Sequence, residues 1–195
     1  MKRPSKKKNI INAVTKLFAQ KGYMISMSEI ANEVGIKVAS IYTHFEGKDE
    51  IIYLSIEEEI NKYYDYLDDL IISLESKSCK EVLEGLLKGI LNNYNSRDKI
   101  KYWNNIYLIN GKNISDKTLD LIDKRTTLYI RSLRQIFENG VKNNEISAPG
   151  IDGTLYLYMS MIEGILKGIL LRDNVSRDYV PIIWEAYWNG IKIKD

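Results

Sequence analysis

Apolar residues recur at intervals of three and four along most of the chain, which is the spacing of amphipathic helices. In the first such segment Ile10, Val14 and Leu17 share one face. The longest segment begins at Lys48 and repeats apolar residues as far as Leu74. Further helices are predicted at Lys80–Tyr94, Lys99–Ile109, Lys117–Lys142, Ile151–Leu171 and Arg177–Ile193. The pattern therefore predicts an all-α fold.

Residues 26–48 have the pattern of two short helices that meet at a tight turn. Ser26 and Glu29 have the spacing of a capping box, and Gly35 suits the left-handed conformation that ends many helices. The second short helix has a predicted apolar face of Val38, Ile41, Tyr42 and Phe45. The side chains that point elsewhere are small or form hydrogen bonds: Ala39, Ser40, Thr43 and His44. This arrangement is typical of a helix-turn-helix, whose second helix enters the DNA major groove.

Further positions in and beside this stretch carry a family resemblance. They are Gly22-Tyr23, Ser26, Ile30-Ala31, Gly35-Ile36, Ile41-Tyr42, Phe45 and Lys48. Together they resemble the TetR (tetracycline-repressor-like) family of one-component bacterial regulators, over about the first quarter of the chain. The resemblance implies a three-helix DNA-binding head, residues 1–47. A long helix would join this head to a larger helical body, residues 48–195, for ligand binding and dimerisation.

Charge is distributed unevenly along the 195 residues. Residues 1–50 hold nine lysines and arginines against five acidic residues, whereas the whole chain has a net charge of only +2. A basic head on a mildly acidic body suits a protein that contacts a polyanion with one end. The tail of Lys2, Arg3, Lys6, Lys7 and Lys8 is either a solvated terminus or an arm that attracts phosphate.

The single cysteine, Cys79, cannot form an intrachain disulfide, which fits a reducing cytoplasm. Lys16 interrupts the apolar segment that follows the basic start, so no signal peptide is predicted. The sequence offers one histidine, no zinc-ligand spacing and no glycine-rich phosphate loop. We therefore expect neither an enzyme nor a protein with a cofactor or metal.

The predicted DNA contacts fall into two groups. The resemblance implies that Tyr42, Lys48 and His44 contact the phosphate backbone, with packing in the head as the alternative for Tyr42 and a solvated side chain for Lys48. By their chemistry Ser40, Thr43 and Lys37 can reach base edges, and a methyl group of Ala39 or Thr43 can contact thymine. The predicted DNA-binding set is Ser26, Lys37, Ala39, Ser40, Tyr42, Thr43, His44 and Lys48.

The body is rich in aromatic residues and methionine, most of which are expected in the core or at interfaces. Ligand cavities, however, are also mostly apolar with a few polar anchors. By analogy with the family, a pocket among the middle helices is predicted for a small hydrophobic or aromatic effector. Its predicted lining residues are Trp103, Tyr107, Tyr129 and Met159.

The last two helices are predicted to form the dimer surface. Gly164 and Gly168 lie on one helix face, where a second helix can approach closely. In the family these helices build a two-fold symmetric four-helix bundle. The predicted interface is Leu155, Ile162, Gly164, Ile165, Gly168, Ile183 and Tyr187. The segment is apolar enough to raise the question of a membrane span, but Glu163 and Lys167 favour burial between protein surfaces.

Together these observations predict a cytoplasmic, homodimeric transcriptional repressor. It would bind double-stranded DNA at a near-palindromic operator and be released by a small molecule bound in the body. The alternative is a DNA-bound module that recruits another protein, or an activator, without a small-molecule inducer.

Overall fold

The computed structural model describes residues 5–108, 116–147, 150–172 and 178–193, apart from the side chains of Tyr107 and Arg172. These ranges are helical and contain no strand beyond an isolated bridge between Ile146 and Lys192. The helices are α1 (Lys6–Lys21), α2 (Met27–Val34), α3 (Val38–Tyr42), α4 (Lys48–Ser73), α5 (Cys79–Asn93), α6 (Arg97–Leu108), α7 (Asp116–Lys142), α8 (Ile151–Arg172) and α9 (Val180–Ile191). The predicted all-α fold is confirmed.

The observed helix ends differ from the predicted ones at several positions. Helix α5 begins at Cys79, one residue before the predicted start, because Ser78 and Glu81 form a capping box. The predicted start of the last helix, Arg177, lies outside the described residues, and α9 begins at Val180. Helix α3 ends at Tyr42. Its predicted continuation towards Phe45 is therefore wrong, and Thr43 and His44 follow the helix.

The chain divides into two compact units. Unit 1 comprises residues 1–62 and 98–124, and unit 2 comprises residues 63–97 and 125–195. Unit 1 therefore contains α1–α3, the first part of α4, nearly all of α6 and the start of α7. The boundary predicted between residues 47 and 48 is a functional division and stays a prediction.

The first three helices of unit 1 pack around a small apolar core. Ile10, Phe18, Ile30, Ile41 and Phe45 are all buried. The predicted capping box is present, with the Ser26 side chain accepting from the backbone N–H of Glu29. Gly35 adopts the predicted left-handed conformation, with φ of 74°. Local capping and turn chemistry thus position α3 at the surface.

Unit 2 has a continuous helical core that includes Leu67, Leu83, Phe137 and Tyr158. The hydroxyl of Tyr158, fully buried, donates to the carbonyl of Leu83 at 2.6 Å. At one end of this core the backbone N–H of Cys79 donates to Glu145 at 2.7 Å. The buried polar groups therefore tie α8 and the turn after α7 to α5.

Candidate DNA interface

Helix α3 has an exposed side with polar residues and a buried apolar residue that anchors it in the head. Ile41 is fully buried and fixes the helix in the head. The residues around it on the outer side are exposed: Lys37, Ala39, Ser40, Tyr42 and Thr43. Small residues of this kind allow the backbone to approach a DNA groove, and their hydroxyl groups can donate to or accept from base edges.

Tyr42 does not belong to the apolar face on which the sequence pattern placed it. Its side chain is 55% exposed, since α3 ends there and the residue packs less deeply than Ile41. Its hydroxyl has no hydrogen-bond partner among the described residues. The group is thus free to donate to a phosphate.

Three residues of the predicted DNA-binding set already have intramolecular partners. The hydroxyl of Ser26 donates to Glu29 at 2.9 Å as part of the capping box. That of Thr43 donates to the carbonyl of Ser40 at 2.8 Å, which leaves its methyl group and oxygen lone pairs for DNA. Lys48 donates to the carbonyl of Tyr23 at 3.1 Å. His44 is half-buried.

Lys48 is held in place by the surface of Tyr23. Its ammonium lies 4.1 Å from the centroid of the Tyr23 ring. The Tyr23 hydroxyl in turn donates to Asp49, which raises the pKa of Tyr23 to about 12. A lysine fixed in this way loses less side-chain entropy when it contacts a phosphate.

The lysines near the start of the chain have different partners in the structure. Lys8 forms an ion pair with Glu58, whereas Lys7 lies 5.6 Å from the centroid of the Phe45 ring, beside the end of α3. Lys6 is exposed. Lys2 and Arg3 lie outside the described residues. No sequence signal predicts this difference between Lys7 and Lys8, because it depends on which side chains α1 meets in the folded head.

Comparison with known proteins bears directly on this surface. The family model described as "Bacterial regulatory proteins, tetR family" matches residues 10–53, which include α2, α3 and the start of α4. Residues 10–53 therefore form a tetR-family DNA-binding segment. The structural comparisons support the same fold over the whole chain. A regulator from Saccharomonospora viridis in complex with choline has a TM-score of 0.80 at 18% identity, over 96% of this chain and 98% of its own.

Two further relatives have informative names. FadR from Bacillus subtilis, in complex with stearoyl-CoA, has a TM-score of 0.75 at 18% identity and covers 95% of this chain and 100% of its own. The biofilm operon icaADBC negative transcriptional regulator IcaR of Staphylococcus aureus (strain Newman) is 40% identical over 74 residues. That alignment spans only 37% of this chain and 37% of the length of IcaR. The TetR-family relationship thus has its strongest sequence support in the head.

The predicted effector residues fall in different parts of the molecule. Trp103 is buried in unit 1, whereas Tyr129 and Met159 belong to unit 2. The side chain of Tyr107 lies outside the described residues. Tyr129 packs against Tyr64 with ring centroids 6.0 Å apart. Its buried hydroxyl has no hydrogen-bond partner in the structure described, and burial raises its pKa above the ordinary value for tyrosine.

Unit 2 also contains a half-open cavity of about 420 Å³ that the sequence did not indicate. It lies between the end of α4, the start of α5 and the second half of α7. Tyr129 and Met159 are not among its lining residues. The lining combines apolar, uncharged polar and charged side chains, including Ile72, Val82, Gln135, Asn139, Glu75 and Lys77.

The predicted dimer residues divide between two faces of α8 and α9. Four of them are buried within the single chain: Leu155, Ile162, Ile165 and Tyr187. Gly164 is exposed, and Gly168 and Ile183 are half-buried. The sequence pattern is apolar on both faces, so it could not distinguish the face that packs on the protomer's own core. An interface through the four buried residues would require the core to open.

A second stripe of small and apolar residues remains accessible on each helix. On α8 it consists of Leu157, Met161, Gly164, Gly168 and Leu171, spaced by three and four. On α9 it consists of Ile182, Ala186 and Gly190. Both predicted glycines lie on the accessible stripe, where they lower the surface of α8 and permit a close approach.

Proposed function

We propose that this protein is a homodimeric transcriptional repressor that binds a near-palindromic operator. The observation that carries the proposal is the exposed surface of α3, with its small residues and the free hydroxyl of Tyr42, within the segment matched by the tetR family model. Repression follows the name of the IcaR relative, a negative regulator. Lys37, Ser40 and Thr43 would contact base edges, while Tyr42 and Lys48 would contact phosphates and set the register.

The experiment is DNase footprinting of the purified protein on the intergenic DNA beside its own gene, at physiological salt. We expect a protected near-palindrome. Tyr42→Phe should weaken binding about tenfold, because each of two heads loses a hydrogen bond worth about 0.5–1.5 kcal/mol. Tyr179→Phe, which alters a tyrosine of similar exposure (53%) outside the head, is the matched control. Sequence-independent binding alone would contradict the operator proposal.

The dimer proposal rests on the accessible stripes of α8 and α9. Ile151–Leu171 is long and apolar enough to cross a membrane by length and composition, and only 28% of its apolar window is buried within the chain. A second copy packed on the stripes would cover the remainder. The two-fold axis would then pair the DNA heads with a near-palindromic site, with recognition helices about 34–36 Å apart. We also propose that the protein is cytoplasmic.

The effector proposal rests on Tyr129. A buried hydroxyl that lacks a partner costs about 1–3 kcal/mol, and the polar group of a small hydrophobic or aromatic ligand could remove that cost. The names of two structural neighbours, complexes with choline and stearoyl-CoA, support small-molecule binding on this fold. An effector could release DNA only by binding the DNA-free conformation more tightly. Met159 belongs to the same unit as Tyr129 and remains a proposed ligand residue, whereas Trp103 and Tyr107 remain predictions from the sequence.

The alternative is a recruitment module without an effector, in which the half-open cavity beside the exposed Ile72 receives a partner protein. The effector proposal and the recruitment proposal predict different effects of Tyr129→Phe on the release of the operator. If an effector contacts the hydroxyl, the variant keeps operator binding but is no longer released by that molecule. If no small molecule alters operator binding, and Ile72→Glu abolishes regulation in cells, the recruitment proposal is favoured.

A further inference from the structure

The half-open cavity of unit 2 is separate from the residues proposed to bind an effector. Its volume of about 420 Å³ lies within the range of about 300–1,000 Å³ that is usual for ligand sites. All of its lining residues belong to unit 2, so the cavity lies within one compact unit. The chemistry of these lining residues indicates which kind of ligand the cavity can bind.

Aliphatic side chains form the apolar part of the lining. Val82 is buried, whereas Ile71 and Ile136 are half-buried. Ligand carbon atoms that cover these side chains leave water, which favours binding in proportion to the apolar area buried. No aromatic side chain is among the described lining residues. The cavity therefore suits aliphatic groups of a ligand.

A row of three carboxamide side chains lines the same cavity. Gln135, Asn139 and Asn143 are exposed and spaced by four residues, so they share one face of α7 and its C-terminal turn. Four residues of a helix span about 6 Å. In an extended peptide, the N–H and C=O groups on one edge repeat every two residues, or about 6.6 Å. The row therefore approximately matches the backbone spacing of an extended peptide.

The carboxamides have both donors and acceptors to spare. Nε2 of Gln135 donates to Oδ1 of Asn139 at 3.1 Å. A carboxamide carries two N–H donors and one carbonyl acceptor. This bond therefore leaves the carbonyl oxygen of Gln135 and the amide nitrogen of Asn139 for a ligand. A peptide backbone offers the complementary N–H and C=O groups.

Glu145 adds a carboxylate that is fixed in the cavity wall. It follows the row by two residues and is half-buried. Its Oε2 accepts from the backbone N–H of Cys79 at 2.7 Å, and its own backbone N–H donates to the carbonyl of Gly140 at 2.9 Å. A carboxylate held on both sides in this way has a second oxygen available for a ligand cation.

We propose that this cavity binds the N-terminal end of a short aliphatic peptide in the extended conformation. The ammonium of the peptide donates to Glu145, its backbone pairs with the carboxamide row, and its aliphatic side chains cover the apolar lining. Charge complementarity supports this end of a peptide, because the lining has two carboxylates, Glu75 and Glu145, against the single ammonium of Lys77. The inference goes beyond operator binding and does not depend on it.

The test is isothermal titration calorimetry of the full-length protein with three probes. They are leucyl-alanyl-leucinamide with a free N-terminus, the same peptide N-acetylated, and 3-methylbutylamine. We expect saturable binding of the free peptide. The acetylated peptide should bind about tenfold more weakly, because it lacks the charge that strengthens a hydrogen bond to a carboxylate. The amine should also bind at least about tenfold more weakly, because it has no backbone to pair with the carboxamides.

Two variants assign the binding to particular side chains. Glu145→Gln keeps an acceptor for the N–H of Cys79 but removes the charge, so it should lower the affinity for the free peptide to that for the acetylated one. The affinity for the acetylated peptide should not change. Asn139→Ala should weaken both peptides about three- to tenfold, because one carboxamide is lost. Glu138→Ala is the matched control, since Glu138 is an exposed neighbour on α7 outside the lining.

Four results would overturn the inference. The wild-type protein might bind neither peptide, or bind 3-methylbutylamine as tightly as the free peptide. Equal affinity for the free and acetylated peptides would show that the cavity takes an internal segment, as in the recruitment alternative. A Glu145→Gln variant that weakens both peptides equally would show that Glu145 acts only through the structure of the cavity.

Discussion

Single side chains near the start of the chain differ in what they can contribute to DNA binding. Lys7 and Lys8 are adjacent, but only Lys8 is neutralised by an ion pair, with Glu58. Lys7 lies beside Phe45 at the end of α3 and keeps its charge available for phosphate. The two lysines are equivalent in the sequence pattern, and only the packing of α1 against α4 distinguishes them.

We expect Lys7→Gln to reduce the salt dependence of operator binding, with the slope falling by about one for each phosphate that the lysine neutralises. Lys8→Gln should reduce that slope less than Lys7→Gln does, because Lys8 pairs with Glu58, a carboxylate that it shares with Lys62. The measurement is operator affinity by fluorescence anisotropy between about 50 and about 200 mM salt. Equal slopes for the two variants would contradict this assignment.

The carboxyl group of Glu29 makes the stability of the head depend on pH. Hydrogen bonds from Lys21 and from Ser26 lower the pKa of this carboxyl from 4.5 to about 2. The folded head therefore favours the ionised form more than the unfolded chain does. This contribution to stability is present above pH 4.5 and is lost as the pH falls from 4.5 towards 2.

Glu29→Gln keeps a side chain able to complete the capping box but removes the charge. We expect this variant to be less stable than the wild type at pH 6, with the difference shrinking as the pH approaches 3. Urea unfolding followed by circular dichroism at several pH values measures it. Glu75→Gln, at an exposed carboxylate, is the control. A difference in stability that does not change with pH would contradict this prediction, because it would show that the capping hydrogen bonds and not the charge of Glu29 are responsible.

At the scale of helices, the close approach of α5 and α7 depends on Gly140. A Cβ atom at this position would lie 2.7 Å from Sγ of Cys79 and 3.0 Å from its Cβ. Burial also raises the pKa of the Cys79 thiol to about 12, so it packs as a neutral group. The glycine therefore has a packing role that a helical pattern alone does not reveal.

We expect Gly140→Ala to lower the free energy of unfolding by about 1–3 kcal/mol, because one helix must move or a side chain must leave its preferred rotamer. Adding Cys79→Ala should restore part of this stability. Gly153→Ala is the matched control, since a Cβ there meets nothing within 4 Å, and it should stabilise its helix by up to about 1 kcal/mol. Denaturant unfolding of the four proteins decides whether the contact with Cys79 is responsible.

At the scale of the whole molecule, assembly depends on which face of α8 and α9 is accessible. Leu157 and Ile182 are 54% and 65% exposed on the two accessible stripes. If the protein is the proposed dimer, we expect the double variant Leu157→Glu, Ile182→Glu to be a folded monomer, because two charges per copy would be buried without partners. Light scattering after size-exclusion chromatography measures the mass.

Ile72→Glu is the control for this change, because Ile72 is 68% exposed but lies beside the cavity and not on a stripe. It should remain dimeric. A double variant that stays dimeric would place the interface elsewhere. A wild-type protein that requires detergent to remain in solution would favour a membrane role for α8.

Local patterns in the sequence are sufficient to predict the helical fold, the helix-turn-helix and the family of that segment, because helix periodicity, the Ser26–Glu29 capping box and the Gly35 turn are all local. Other features depend on residues that lie far apart in the chain and come together only in the folded protein. The tertiary structure turned Tyr42 outwards, paired Lys8 with Glu58, and brought Asn105 to the end of α1. It also decided which apolar face of α8 packs inside the protomer. Helix α8 is apolar on both faces, so the spacing of its apolar residues does not determine which face is buried. The helices packed against α8 determine it.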